Sequence, residues 1–311
     1  MESLVSIIIP CYNTSKTINH CLESLNKQIY TYWEAICIDD GSIDATKDLI
    51  EYKILSETRI RLYTQPNKGA AKAREIGVSH AKGDYILFLD ADDTLTPDAL
   101  DLMLNLFHQE PQTDIVVSGF NIIKDGILLK SKSPKWKKID NISYLKRVLC
   151  GKDGWELCAK MYKKDLFSEE VHIAENLRIG EDAATFIQLV CRAKFVGGCH
   201  NSIYNYIQHN CSASHIKSAK YAEETIESAL FIESFLQRTN LLNKLSIEVD
   251  VMFMLMYSNS TRKYRLGRKH PLVKKVREHM SVSALIKLPF YRIVYLIISY
   301  YWGTYIKYFS K

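Results

Sequence analysis

The sequence lacks paired cysteines, a secretory leader, internal repeats and any uninterrupted apolar run of membrane-spanning length. Eight cysteines stand singly at positions 11, 21, 37, 150, 158, 191, 199 and 211, with no C-x-x-C pair. That spacing argues against a zinc ribbon or a disulfide framework and for reduced core thiols in a cytosolic chain. Met1-Glu2-Ser3 runs directly into Leu4–Ile9, a stretch too short and too acid-flanked for a secretory signal. Sequons such as Asn13-Thr14-Ser15 and Asn141-Ile142-Ser143 carry no meaning without secretion. With 47% hydrophobic and 24% charged residues over 311 positions, the composition is globular, and the length suits one large domain or two modest ones.

Acidic residues are nearly missing from one part of the chain. Residues 262–311 hold twelve Lys or Arg and a single acid, Glu278. Of the 41 basic and 35 acidic residues in the whole chain, that leaves 29 basic and 34 acidic for residues 1–261. The two parts are expected to meet different partners.

The first 120 residues alternate short apolar runs with amphipathic stretches. Strands are predicted at Leu4–Ile9, Trp33–Ile38, Ile60–Tyr63, Tyr85–Leu89 and Ile115–Ser118. Helical patterns fall at Thr17–Gln28, Thr46–Tyr52, Gly69–Ala81 and Pro97–His108. This alternation predicts an α/β fold, a doubly wound and mainly parallel sheet of Rossmann-like type. Further on, Asn121–Leu129 predicts a hairpin around Asp125-Gly126, Glu181–Ala193 a helix and Ser202–Ile207 a strand. From about Lys220 the pattern is helical (Tyr221–Gln237, Leu241–Tyr257), making a helical C-terminal extension.

Ligands of such sheets sit beyond the carboxyl ends of the strands, and the polar clusters of this sequence fall there. Pro10-Cys11-Tyr12-Asn13 follows the first strand, Asp39-Asp40-Gly41-Ser42-Ile43-Asp44 the second. Asp44 or Ser42 can cap the next helix, but capping does not explain two adjacent carboxylates. Asp40 or Asp39 is therefore expected to accept hydrogen bonds from a base or ribose. In Asn67-Lys68-Gly69-Ala70-Ala71-Lys72-Ala73-Arg74, a glycine opens a helix amid positive charge, a place suited to phosphate or equally to a solvated basic face.

The sharpest cluster is Asp90-Ala91-Asp92-Asp93, delivered by Tyr85–Leu89. Three close carboxylates repel one another unless a cation neutralises them. Oxygen ligands together with substrate phosphates suit Mg²⁺ or Mn²⁺, with Asp92 and Asp90 as ligands and Asp93 or Thr96 as a helix cap. Ile179-Gly180-Glu181-Asp182 opens a helix; the two acids serve either the helix dipole or, as a general base, an acceptor hydroxyl. His209 is a candidate metal or phosphate contact. Trp155 and Lys160 could stack on a sugar and meet a phosphate, or could be an anchor and a surface lysine.

In this order these motifs resemble the family 2 inverting glycosyltransferases of the GT-A fold, with the resemblance covering about residues 4–215. It rests on Val5–Asn13, Asp39–Thr46, Asn67-Lys68-Gly69, Ala73-Arg74, Gly83–Ile86, Asp90–Asp93, Trp155–Tyr162, Glu181-Asp182 and Tyr204–Ser212. The resemblance implies transfer of a hexosyl or N-acetylhexosaminyl group from a nucleotide-diphospho-sugar, often a UDP-sugar, with inversion. It also implies roles: Asp40 at uracil or ribose, Asp92 on a metal bridging the diphosphate, Asp90 on the ribose or metal shell, and Asp182 as the acceptor's base. Donor contacts are expected from Pro10, Tyr12, Asn13, Asp39, Asp40, Lys68, Gly69, Arg74, Asp90 and Ala91. Glu75 follows Arg74 where many relatives carry Asn.

Residues 1–120 are thus expected to form the donor half, 121–218 the acceptor half and 219–311 the extension. Nine aromatics within 290–309 (Phe290, Tyr291, Tyr295, Tyr300, Tyr301, Trp302, Tyr305, Tyr308 and Phe309), with basic neighbours and interruptions at Arg292, Gly303 and Lys307, suggest peripheral attachment to the inner, anionic face of the cytoplasmic membrane; a helical cap or an oligomer contact is the other reading. Acids in the cleft argue against a nucleic-acid partner. The expected acceptor is a glycan, free or lipid-linked, of a lipopolysaccharide, O-antigen or capsule. Two other readings are a sugar-nucleotide nucleotidyltransferase, which should show a Gly-rich basic loop after its first strand, and a non-catalytic nucleotide- or glycan-binding subunit.

Overall fold

The computed structural model describes residues 2–167, 171, 177, 179–208, 219–261, 266, 269–294 and 296. The chain forms two compact units. One comprises Met1–Asn141, Glu156–Glu175 and Leu189–Asn210; the other comprises Ile142–Trp155, Asn176–Gln188 and Cys211–Lys311.

In the first unit, β1 (Val5–Cys11), α1 (Ile18–Asn26), β2 (Trp33–Asp39), α2 (Thr46–Ile54), β3 (Ile60–Thr64), α3 (Ala70–His80) and β4 (Tyr85–Phe88) follow one another as the apolar periodicity predicts. A short β5 (Thr94–Leu95) and α4 (Ala99–Gln109) lead to a long β6 (Thr113–Lys124), β7 (Ile127–Lys132) and β8 (Lys138–Asp140). After α5 (Asn141–Leu149), which from Ile142 belongs to the second unit, come β9 (Lys160–Lys163), α6 (Glu181–Arg192), of the second unit as far as Gln188, and β10 (Phe195–Ile207). The sheet order is β3-β2-β1-β4-β9-β6-β10-β5, with β7 added to β6 and β8 to β10. The four strands β3-β2-β1-β4 are mutually parallel. Beyond β4 the antiparallel β9 intervenes, and β6 and β10 beyond it are again parallel to each other.

Both sheet faces are covered because alternate strand residues are apolar on each. Ile7, Ile9, Cys37, Leu87 and Leu89 share a buried cluster with Leu22 and Leu25 of α1 and Met103 and Leu104 of α4. A truncation there, such as Leu22→Ala, would cost roughly 2–5 kcal/mol. On the other face α3 approaches so closely that a Cβ on Gly77 would lie 2.2 Å from Ile8 Cγ2. Only glycine allows that approach.

Several strands run further than the sequence pattern predicts, among them β10, which starts at Phe195 where Ser202 was expected. β1 continues through Pro10 and Cys11, which pair with Ile38 and Asp39. A proline is tolerated because β4 pairs with β1 only as far as Ile8, so no sheet partner asks for its missing N–H. The hairpin turn is as expected: Asp125 and Gly126 both take positive φ, 50° and 77°, the pairing that suits a two-residue turn. Position 120 lies inside β6, so the sheet runs on across that expected boundary.

The second unit is helical. α7 (Ala219–Arg238) and α8 (Leu242–Thr261) pack together, joined by α9 (Pro271–Glu278) and α10 (Val282–Leu285). His279 stacks on Phe253 at 3.8 Å and meets Asp250 through Nδ1 at 3.0 Å. Ser281 donates to the other oxygen of Asp250 at 2.6 Å, and Lys287 pairs with Glu248 at 2.5 Å. No helix among the described residues is long and apolar enough to cross a membrane.

Candidate active site

The strand ends of β1, β2, β3 and β4 are tied together by polar bonds within the first unit. Asn13, at φ 53°, takes a left-handed conformation that asparagine tolerates. Its N–H donates to Ser42 Oγ at 3.0 Å, and its Oδ1 accepts from Ile43 N–H at 2.9 Å. The loops after β1 and β2 are thereby stitched to each other. Asp44 completes the seam by accepting from Ser15 N–H and from the N–H and hydroxyl of Thr46. Burial opposes that charge, but the hydrogen bonds from Thr46 and Ser15 outweigh it and lower the Asp44 carboxyl to about 2. Asp44, not Ser42, thus secures the first turn of α2.

Asp39 and Asp40 are both buried at the end of β2. Asp39 Oδ1 accepts from Ser42 N–H at 3.3 Å. Asp40 reaches the loop before α3: Oδ1 accepts from Gln65 Nε2 at 2.6 Å and Lys68 N–H at 2.7 Å, Oδ2 from Gly69 N–H at 2.8 Å. Gly69 has φ 90°, and a Cβ there would meet nothing within 4 Å. It is therefore chosen for backbone conformation, and it leaves open space at the start of α3. Lys68 and Tyr12 are exposed beside these loops, Pro10 is half-buried, and Ala91 is buried.

The acidic run after β4 is organised differently. Arg74, buried one turn into α3, donates through Nη2 to Asp90 Oδ1 at 3.0 Å. Cys158 Sγ donates to Asp90 Oδ2 at 3.1 Å. Asp92 is half-buried. Asp93 is buried and tied to β10: Tyr204 Oη donates to its Oδ2 at 2.6 Å, and Ile207 N–H to its Oδ1 at 2.8 Å. Burial, augmented by the neighbouring charges of Asp90 and Asp92, pushes the Asp93 carboxyl up to about 8 against the pull of those hydrogen bonds. The Tyr204 phenol is itself pushed up by burial and stays a donor. Neither Asp93 nor Thr96 caps α4 as the sequence suggested. The helix starts after Asp98 without a side-chain cap, and Thr96 donates to Asp98 Oδ1 instead.

Lys160 is buried rather than displayed, and its ammonium donates to the main-chain carbonyls of Glu156 and Cys158. Glu181 and Asp182 open α6, half-buried, and Trp155 is likewise half-buried; these three belong to the second unit. His209 lies outside the described residues. The bonds from Cys158, Tyr204 and Gln65 to the acidic loops escaped sequence reasoning. Cys158 and Tyr204 stand 68 and 111 or more positions from their partners, and no local signal joins them. The seven described cysteines are free thiols, as expected.

Oxygen ligands of the type found at Asp90 and Asp92 suit Mg²⁺ or Mn²⁺. Among the described residues no three His, Cys, Asp or Glu side chains stand at the spacing of a complete metal cage.

Comparison with known proteins bears on the family and the fold. Glycosyltransferase GlyG of Streptococcus pneumoniae is 28% identical over 217 residues, covering 66% of this chain and 71% of its own. A Bacillus subtilis protein named as a teichuronic acid biosynthesis glycosyltransferase, TuaG, is 28% identical over 223 residues, covering 70% of this chain and 85% of its own. Among solved structures, Staphylococcus aureus TarS 1–349, in complex with UDP-GlcNAc, superposes with a TM-score of 0.64 at 17% identity, covering 94% of this chain and 90% of TarS 1–349. The likeness to TarS shows a shared GT-A fold. Residues 6–169 match glycosyl transferase family 2, and with more than half the chain matched, the protein belongs to that family and is a glycosyltransferase.

Proposed function

We propose that this glycosyltransferase moves a hexosyl or N-acetylhexosaminyl group from a UDP-sugar to a glycan hydroxyl, with inversion, in the synthesis of a bacterial surface polysaccharide. The observation that carries the donor assignment is the double attachment of α3. Asp40 grips the main chain at Lys68 and Gly69 just ahead of the helix, and Asp90 pairs with Arg74 one turn into it. Two strand-end acids and a helix N-terminus with open space before it thus share one corner, suited to a nucleotide diphosphate. UDP-GlcNAc on TarS supports a uridine donor. The name of TuaG supports a surface polysaccharide acceptor, of the lipopolysaccharide, O-antigen or capsule kind, free or lipid-linked.

Within this reading Asp40, Asp39, Asn13, Tyr12 and Pro10 border the nucleoside, Lys68, Gly69 and Arg74 the phosphates, and Ala91 the floor between them. Asp92, supported by Asp90 and with His209 as a further candidate, would hold Mn²⁺ or Mg²⁺. When bound, the cation would stabilise negative charge on the departing diphosphate. In a direct displacement the acceptor oxygen bonds to the anomeric carbon as the bond to the diphosphate breaks, and Asp182 takes the acceptor proton. Trp155, Glu181 and Lys160 are secondary candidates for acceptor or phosphate contact, and burial of the Lys160 ammonium weighs against a direct part for it.

Attachment to the cytoplasmic membrane face remains part of the proposal. Val282, Ile286, Phe290 and Tyr291 are exposed apolar side chains in a strongly basic region, a combination suited to an anionic lipid surface; the aromatic run from Tyr300 lies outside the described residues.

The test is purified full chain with Mn²⁺ or Mg²⁺ and a panel of nucleotide sugars, following nucleotide release. Release from a UDP-sugar, raised by metal and by a glycan acceptor and lost in Asp182→Asn, is expected. Silence from every donor, with and without lipid-linked acceptors, would overturn the proposal, and full turnover in Asp182→Asn would remove that residue's role.

A further inference from the structure

Leu157–Ala159 form a short turn ahead of β9 that is held in an unfavourable conformation by many bonds. Ala159 has φ 58°, a left-handed backbone that costs an L-residue with a Cβ about 1–2 kcal/mol. Such a conformation persists only where the surroundings over-determine it, and here they do. Ser118 donates to the Ala159 carbonyl from both its N–H and its hydroxyl, each at 2.9 Å. Tyr162 Oη donates to the Leu157 carbonyl at 3.0 Å, and the buried Lys160 ammonium bridges the carbonyls of Glu156 and Cys158. Every carbonyl from Glu156 to Ala159 is thereby engaged by a buried side chain.

This scaffold delivers one side chain to the acidic run, the Cys158 thiol 3.1 Å from Asp90 Oδ2. Arg74 already occupies Oδ1. The main chain of Asp90 is fixed as well, since its N–H donates to Tyr204 Oη and its carbonyl accepts from Asp93 N–H. We infer that Cys158 is a positioning residue of the donor site. The strained, lysine-pinned turn holds its S–H on Asp90 and sets the plane of that carboxylate for the nucleotide. This rests on the proposed donor-binding role of Asp90. Lys160, whose type and place suggested a phosphate ligand, acts instead through the turn.

A thiol donating to a carboxylate is a charge-assisted bond, and its loss should loosen an oriented carboxylate without emptying the site. The experiment titrates UDP into the full chain with Mn²⁺ by calorimetry, alongside thermal midpoints to confirm folding. Cys158→Ala should weaken UDP roughly tenfold, and Cys158→Ser, which keeps a donor, should recover most of that loss. In an Asp90→Ala background Cys158→Ala should have little further effect. If Asp90→Ala weakens UDP while Cys158→Ala does not, or if the two losses simply add, the positioning role falls and the donor site stands. If Asp90→Ala leaves UDP binding unchanged, the donor reading of Asp90 falls and the inference with it. Should Cys158→Ala fold poorly, Cys158→Ser and Cys158→Val against wild type carry the same comparison.

Discussion

Two acidic runs at neighbouring strand ends look alike in the sequence and are treated in opposite ways by the fold. After β2, Asp39, Asp40 and Asp44 are each met by hydrogen-bond donors from adjoining loops, and the Asp44 carboxyl is lowered to about 2. After β4, Asp90 and Asp93 also find donors, but burial and the neighbouring charges of Asp90 and Asp92 raise the Asp93 carboxyl to about 8. Carboxylates satisfied by main-chain N–H groups hold loops in place. Carboxylates buried close to one another cannot all ionise freely, and one of them holds its proton instead.

The contrast is most sharply tested at Asp92. Asp92→Asn should lower metal-stimulated nucleotide release by roughly 10²–10³-fold, the scale of removing one electrostatic stabiliser, with an unchanged thermal midpoint. Wild-type turnover in this variant would erase the distinction between the two runs. Asp40→Ala should do the reverse first. Removing a buried acceptor of three bonds should cost about 2–4 kcal/mol, read as a lower denaturation midpoint in the absence of any substrate.

Two pH limbs of opposite sign follow from the same contrast. Asp93 is protonated more readily when folded than when unfolded, so in the metal-free protein its contribution to stability is present at low pH and lost as pH rises from about 4 to about 8. Asp93→Asn, measured by urea unfolding across that range, should flatten the decline. The Asp44 contribution is present above about pH 4 and is lost as pH falls towards 2. Asp44→Asn should remove that acid limb, the smallest effect of the four because the side chain is exposed and screened.

Much of the fold was legible because apolar periodicity reports burial directly. β1 to β4, their intervening helices and the Asp125-Gly126 hairpin fall where pattern and turn chemistry predict them. β9 was not foreseen. Lys160–Lys163 carries a lysine at each end of only four positions, and its place between β4 and β6 depends on pairing with Ile86 and Val116 far away in the chain. The acidic clusters were equally legible as clusters, because three carboxylates in four residues is a local fact.

The α/β alternation, the strand-end position of Asp39–Asp44 and Asp90–Asp93, and the family resemblance are all local facts of the residue order. Tertiary packing alone set which donors each acid meets and how deeply it is buried. Asp40 finds its donors at Gln65, Lys68 and Gly69, Asp93 at Tyr204 and Ile207, and Asp90 at Arg74 and Cys158. The physical reason is that a carboxylate's charge is set by donors and burial within a few ångströms, and those neighbours arrive from segments 16 to 114 positions away once the sheet has closed over them.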